Sequence, residues 1–190
     1  MSRFTNHLSI AWKLILAVPM FVACARSATT IRTAPSATPR SFETAIVSVR
    51  SADAGIGETE RKQFETMVVA LLLERRVAPN IVLGESSTGR QNAMVIDLAI
   101  TGVRKVGGLQ RALFGAFAGR ASMAVDVAFR DGADPAPFAE FTVKGETGST
   151  GYAGTSTEAI ARAAQEVANL VALHIRAAPN GTPPALVPDR

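Results

Sequence analysis

Residues 59–76 carry apolar side chains at helical spacing. Phe64, Met67, Val68, Leu71 and Leu72 share one side, while Glu60, Lys62 and Glu65 face away. Arg75 and Arg76 follow where positive charge suits the dipole of a helix C-terminus, and Pro79 blocks continuation. Elsewhere the period is two. Met94, Ile96, Leu98 and Ile100 alternate with Val95, Asp97, Ala99 and Thr101; Met123, Val125, Val127 and Phe129 alternate with Ala124, Asp126, Ala128 and Arg130. Residues 138–144 return as a further strand after a loop opened by Asp131-Gly132. These three stretches predict antiparallel strands with one face buried. An earlier strand is predicted over 44–50, where Ile46, Val47 and Val49 supply β-branched packing.

A second helix is predicted from the capping-box spacing of Thr155 and Glu158. Ile160, Ala164, Val167, Val171 and His174 then form one stripe, with Leu170 and Ile175 beside it. The order is β-α-β-β-β-α. It implies an α+β fold: a two-layer domain over residues 42–178, with an antiparallel, partly mixed sheet and two helices on one face. Residues 24–41 hold one large apolar residue, Ile31, and two prolines, and read as a flexible tether. Residues 179–190, with Pro183, Pro184 and Pro188, read as a flexible C-terminal tail.

The first 23 residues differ in kind. Arg3, His7 and Lys13 precede the apolar run Leu14-Ile15-Leu16-Ala17-Val18-Pro19-Met20-Phe21-Val22-Ala23, with no acidic group. A basic start, a short apolar core and a small residue at the end make a secretory signal. The run falls short of the roughly 20 apolar residues a membrane-spanning helix needs. It ends at Cys24, the single cysteine of the chain. Phe21-Val22-Ala23-Cys24 resembles the bacterial lipobox, with Phe21 where Leu is usual. The resemblance implies a lipoprotein signal peptide over 1–23, cleavage before Cys24 and acylation (palmitate or a similar chain) of that residue. Two or three acyl chains give stable anchoring where one is marginal. Ala25 follows, where Asp resembles an inner-membrane retention signal, so the expected place is the outer membrane, facing the periplasm.

Composition narrows the chemistry. Hydrophobic residues make up 47% and charged residues 19% of 190, enough for one ordinary core. Arg3 and Lys13 account for two of the 20 basic residues, leaving 18 against 16 acidic after the leader. That surplus is no footprint for nucleic acid, which needs clustered cations. One cysteine excludes an intramolecular disulfide and a cysteine-based zinc site.

Candidate catalytic groups fail on their surroundings. His174 is the sole histidine beyond the leader, and its place near a helix end, on or beside an apolar stripe, fits packing against the core. Gly84-Glu85-Ser86-Ser87-Thr88-Gly89 imitates a phosphate loop, but Arg90 and Gln91 stand where Lys and a hydroxyl are required. Ile81-Val82-Leu83 before it makes only a marginal strand. Asp97, Asp126 and Glu140 fall on polar strand faces that also carry Thr101, Arg130 and Lys144, which predicts a solvated sheet surface. No catalytic residue, cofactor or metal ligand is assigned, and the chain is expected not to be an enzyme.

The most unusual segment is 107–120, between the second and third predicted strands. Leu109, Leu113, Phe114 and Phe117 accompany four glycines, with Arg111 and Arg120 near the aromatics. Arg111, Leu113, Phe114, Phe117 and Arg120 are the candidate contact with a partner or with lipid, since exposed apolar patches mark interaction sites. The competing reading folds the aromatics into the core, with the glycines marking a bend.

Arg111-Ala112-Leu113-Phe114-Gly115-Ala116-Phe117-Ala118-Gly119 leads into a strand ending at Asp131, followed by a glycine-rich stretch at 145–154 and an Ala-rich helix. This order is similar to the bacterial lipoprotein family called domain of unknown function 4410, over residues 44–176. The resemblance implies a small periplasm-facing lipoprotein domain and carries over no reaction. The element order also resembles periplasmic domains of curli-secretion and penicillin-binding-protein-activator lipoproteins. The expected role is a membrane-anchored envelope lipoprotein, a non-enzymatic binding or structural module. Its partners would be the membrane, through acyl chains, and an envelope protein. The alternative is a small-molecule or glycan-binding module using the polar sheet face and the 145–154 loop with Tyr152, the single tyrosine.

Overall fold

A computed structural model describes residues 27–33, 40–52, 56–84, 90–106, 119–148, 155–177 and 185–187. The elements are β1 (Ser27–Thr33), β2 (Arg40–Phe42), β3 (Thr44–Ser51), α1 (Glu58–Glu74), β4 (Asn80–Leu83), β5 (Ala93–Arg104), β6 (Ser122–Asp131), β7 (Pro137–Glu146), α2 (Ser156–His174), β8 (Ile175–Ala177) and β9 (Ala185–Val187). Seven strands form one mixed sheet in the order β1-β7-β6-β5-β3-β4-β9, and β2 pairs with β8 in a small second sheet. Both helices lie on the same face of the large sheet. The fold is α+β.

Period-two strands and a period-3.6 helix meet as their patterns require. Met94, Ile96, Leu98 and Ile100 of β5, with Met123, Val125, Val127 and Phe129 of β6, face the helices and are nearly or wholly buried. Phe64, Val68 and Leu72 of α1 and Ile160, Ala164, Val167 and Val171 of α2 close over them. Thr155 caps α2, its side-chain oxygen accepting from Glu158 N at 3.3 Å. A bare backbone at Gly145 lets α2 approach β7. A Cβ there would lie 2.6 Å from Ala163 N.

The strands β5, β6 and β7 pair antiparallel, as the alternation predicts. β3 pairs parallel with both β4 and β5. Residues 81–83, read from sequence as a marginal strand, belong to the integral strand β4, because pairing along β3 satisfies a backbone that apolar content alone did not mark.

Two further differences concern the segments read as a tether and a tail. Within 24–41, residues Ser27–Thr33 form an edge strand antiparallel to β7. Six of its seven residues are exposed, so it is held by the ladder and by hydroxyls more than by burial. Thr29 Oγ1 donates to Glu166 Oε1 of α2 at 2.6 Å. Within 179–190, Ala185–Val187 pair parallel with β4.

Candidate functional site on the open sheet face

Alternate residues of the strands point away from the helices. Near one end of this second face Ile46, Ala93 and Val95 form a small buried cluster. Beyond it the register sets two polar rows. Arg50, Ala99, Asp126 and Thr142 align across β3, β5, β6 and β7; Ser48, Asp97, Ala128 and Glu140 form the next row. Carboxylates and alanines therefore alternate in both directions, which keeps like charges from facing each other directly across strands.

The edge strand completes the arrangement. Its register shifts between Ile31 and Thr33, so two residues oppose one of β7. Arg32 consequently reaches over β7, with Arg32 Nη2 3.0 Å from Asp126 Oδ1. Thr33 Oγ1 donates to Glu140 Oε2 at 2.9 Å, and Thr142 Oγ1 donates to Asp126 Oδ1 at 2.9 Å. Arg130 pairs with Asp97, whose side chain is only 12% exposed.

Arg32, Arg50, Asp97, Asp126 and Glu140 line an open groove of about 400 Å³ over Ala99 and Ala128. The solvated surface expected for the three acids is corrected in part. Asp97 is largely withdrawn from water, because Arg130 lies against it. Sequence reasoning missed the groove because Arg32 lay in the supposed tether. The available signal was the β-branched run Thr29-Thr30-Ile31 with Thr33, which favours a strand even where it buries little.

A second hollow of about 350 Å³ lies at the carboxyl ends of the parallel strands β3 and β4, where open parallel sheets often receive ligands. Here Arg61 lines it. Its guanidinium donates to Glu58 at 2.6 Å and to Glu65 at 2.8 Å, leaving the charges mutually satisfied.

His174 packs as its sequence position implies. Its ring stacks on Phe141, with centroids 5.3 Å apart, and meets Phe129 edge-on at 6.0 Å. Burial holds its pKa below the ordinary imidazole value. Among the described residues no group of three acidic, histidine or cysteine side chains is arranged to hold a metal ion.

Cys24, Arg111, Leu113, Phe114, Phe117 and Tyr152 lie outside the described residues. Arg120 is described. Its Nη1 lies 3.7 Å from Glu146 Oε2, beside the closer Lys144 at 2.6 Å. Hydrogen bonding from Lys144, with Arg120 adding attraction, draws the Glu146 pKa below the usual carboxylate range. Among the described residues no helix is long and apolar enough to cross a membrane.

No family model matches the chain, and no curated protein matches it. Solved structures do. A single-substitution variant of the PelC dodecamer from Paraburkholderia phytofirmans aligns over 80% of this chain and 99% of its own, with a TM-score of 0.52 and 15% identity. The PelC dodecamer itself, from the same organism, aligns over the same shares with a TM-score of 0.51 and 17% identity. The likeness is one of fold. It leaves function to be argued from this chain's own residues.

Proposed function

We propose that this chain is an exported lipoprotein, anchored through acylated Cys24, whose α+β domain serves the cell envelope as a non-catalytic binding or structural module. The carrying observation is positional. The one thiol in 190 residues stands where a short apolar leader ends in Val22-Ala23. Ala25 favours the outer membrane, with the domain facing the periplasm. The PelC chains that share the fold are dodecamers, which supports a module that works by assembling with copies of itself or with another envelope protein. Arg111, Leu113, Phe114, Phe117 and Arg120 are the proposed contact with that partner or with lipid.

Mass spectrometry of the mature N-terminus tests the reading. A first residue at Cys24 carrying a diacylglycerol mass, absent from a Cys24→Ala variant, supports it. A mature chain beginning downstream of residue 24 removes the anchor and the localisation with it. For the contact segment, a stably folded Phe114→Ser/Phe117→Ser variant should lose liposome or partner binding.

A second reading makes the domain a binder of a small molecule or glycan. The charged groove on the open sheet face supports it.

A further inference from the structure

The groove is built with opposite charge at its two ends. Of its acids, Asp97 is engaged by Arg130 and Asp126 by Arg32. Glu140 is different. It accepts from Thr33 Oγ1, a neutral donor that orients the carboxylate without cancelling its charge, and no ion pair of Glu140 occurs among the described residues. Arg50, on the far wall, is exposed and likewise makes no ion pair among the described residues. Between them lie Ala99 and Ala128, small enough to leave the floor open.

The spacing is set by the sheet. β3 and β7 are three strand steps apart, about 14 Å at roughly 4.8 Å per step. Glu140 sits two residues along from Thr142, the position that shares a row with Arg50. Both side chains line the groove, and a separation of that size between their strands is more than a direct ion pair spans. An open groove with this spacing holds opposite charges too far apart to pair directly and close enough to be bridged by one small molecule.

We infer that the groove binds a short zwitterionic ligand, its ammonium at Glu140 and its carboxylate or phosphate at Arg50, with an apolar linker over Ala99 and Ala128. The inference rests on the ligand-binding reading above and narrows it to one chemical class. The two bound ends are distinguishable. Arg50 offers a planar fork suited to an oxyanion. The carboxylate of Glu140 accepts from an ammonium.

The test uses the full chain in mild detergent, isotope-labelled for amide NMR, with ε-aminocaproate as the probe. Saturable shifts should centre on Ala99, Ala128 and Glu140. Arg50→Gln and Glu140→Gln should each weaken binding about fivefold, the size of one partly exposed ion pair. n-Hexylamine and hexanoate, each lacking one charge, should bind more weakly than the zwitterion. Ala128→Leu, which fills the floor, should abolish binding in a protein that melts normally.

Equal binding of the singly charged probes, or affinity untouched by both Gln variants, overturns the bipolar assignment. Groove shifts from a neutral oligosaccharide with none from ε-aminocaproate also overturn it, while leaving the ligand-binding reading in place. Silence of the groove toward every probe at tens of millimolar removes both.

Discussion

The imidazole of His174 lies flat on the ring of Phe141, with 11° between the planes, at the end of α2 where the helix passes directly into β8. Burial penalises its charged form, so its folded pKa lies below the ordinary value of 6.5. The unfolded chain then binds a proton more readily than the folded one. The His174 contribution to stability is intact above pH 6.5 and is lost as pH falls from there through the folded value. Urea midpoints should therefore decline on acidification through that window. A His174→Phe variant, which keeps the stack and removes the titration, should show a flatter profile. Identical profiles for the two proteins would exclude the ring as the source.

Gly145 is where β7 and α2 touch through backbone. A methyl group there would press on Ala159 O and lie 2.6 Å from Ala163 N, atoms that cannot rotate away. Gly145→Ala should push α2 off the sheet and cost about 1–3 kcal/mol, the usual range for overpacking. Denaturant melts would show it as a lower midpoint at unchanged slope. Gly102 makes the control. A Cβ at that position meets nothing within 4 Å, so the same substitution should be tolerated.

Asp97 and Arg130 tie β5 to β6 on the open face with side-chain exposures of 12% and 25%. Asp97→Ala should leave the guanidinium in a partly dehydrated place facing a methyl group. A loss of about 1.5–3 kcal/mol is expected, the range for a hydrogen bond to a charged group. The double variant Asp97→Ala/Arg130→Ala should recover part of that loss, because no dehydrated charge then remains. Additive losses in the double variant would mean that the pair contributes nothing as a pair.

The sequence carried the body of this fold because burial leaves a period. Met94 to Ile100 and Met123 to Phe129 alternate since one sheet face is covered by helices and the other is polar. Phe64, Val68 and Leu72 recur at helical spacing for the same reason. What burial does not organise was illegible. β1 has one partly buried residue in seven, and its Thr and Arg side chains look like linker composition until β7 is seen beside them. The four residues of β4 are too few to display a period. The groove depends on the first of these and on how the strands pair. It is made by a register shift in an edge strand and by parallel pairing of β3 with β5, and neither is encoded in the spacing of Asp97, Asp126 or Glu140 along the chain.

Ile31 and Leu173 are 60% and 67% exposed, large apolar side chains left facing water. Ile31 pairs across the ladder with Phe141, whose ring stacks on His174, the chain neighbour of Leu173. Leu173 also lies about two helical turns beyond Glu166, which accepts from Thr29 Oγ1 of β1, so both stand on the β1 margin of the domain. An open strand edge offers unpaired backbone donors and acceptors to another chain, and adjacent apolar groups add the burial that makes such pairing stable. If this margin is where copies meet, Ile31→Asp and Leu173→Asp should each shift the full chain in detergent toward monomer. The folded protomer should be unaffected, because neither residue contributes to the core. Size-exclusion chromatography with light scattering reads the mass directly. A parent chain already monomeric at high concentration, or variants that leave an oligomer unchanged, would exclude this margin as a contact between copies.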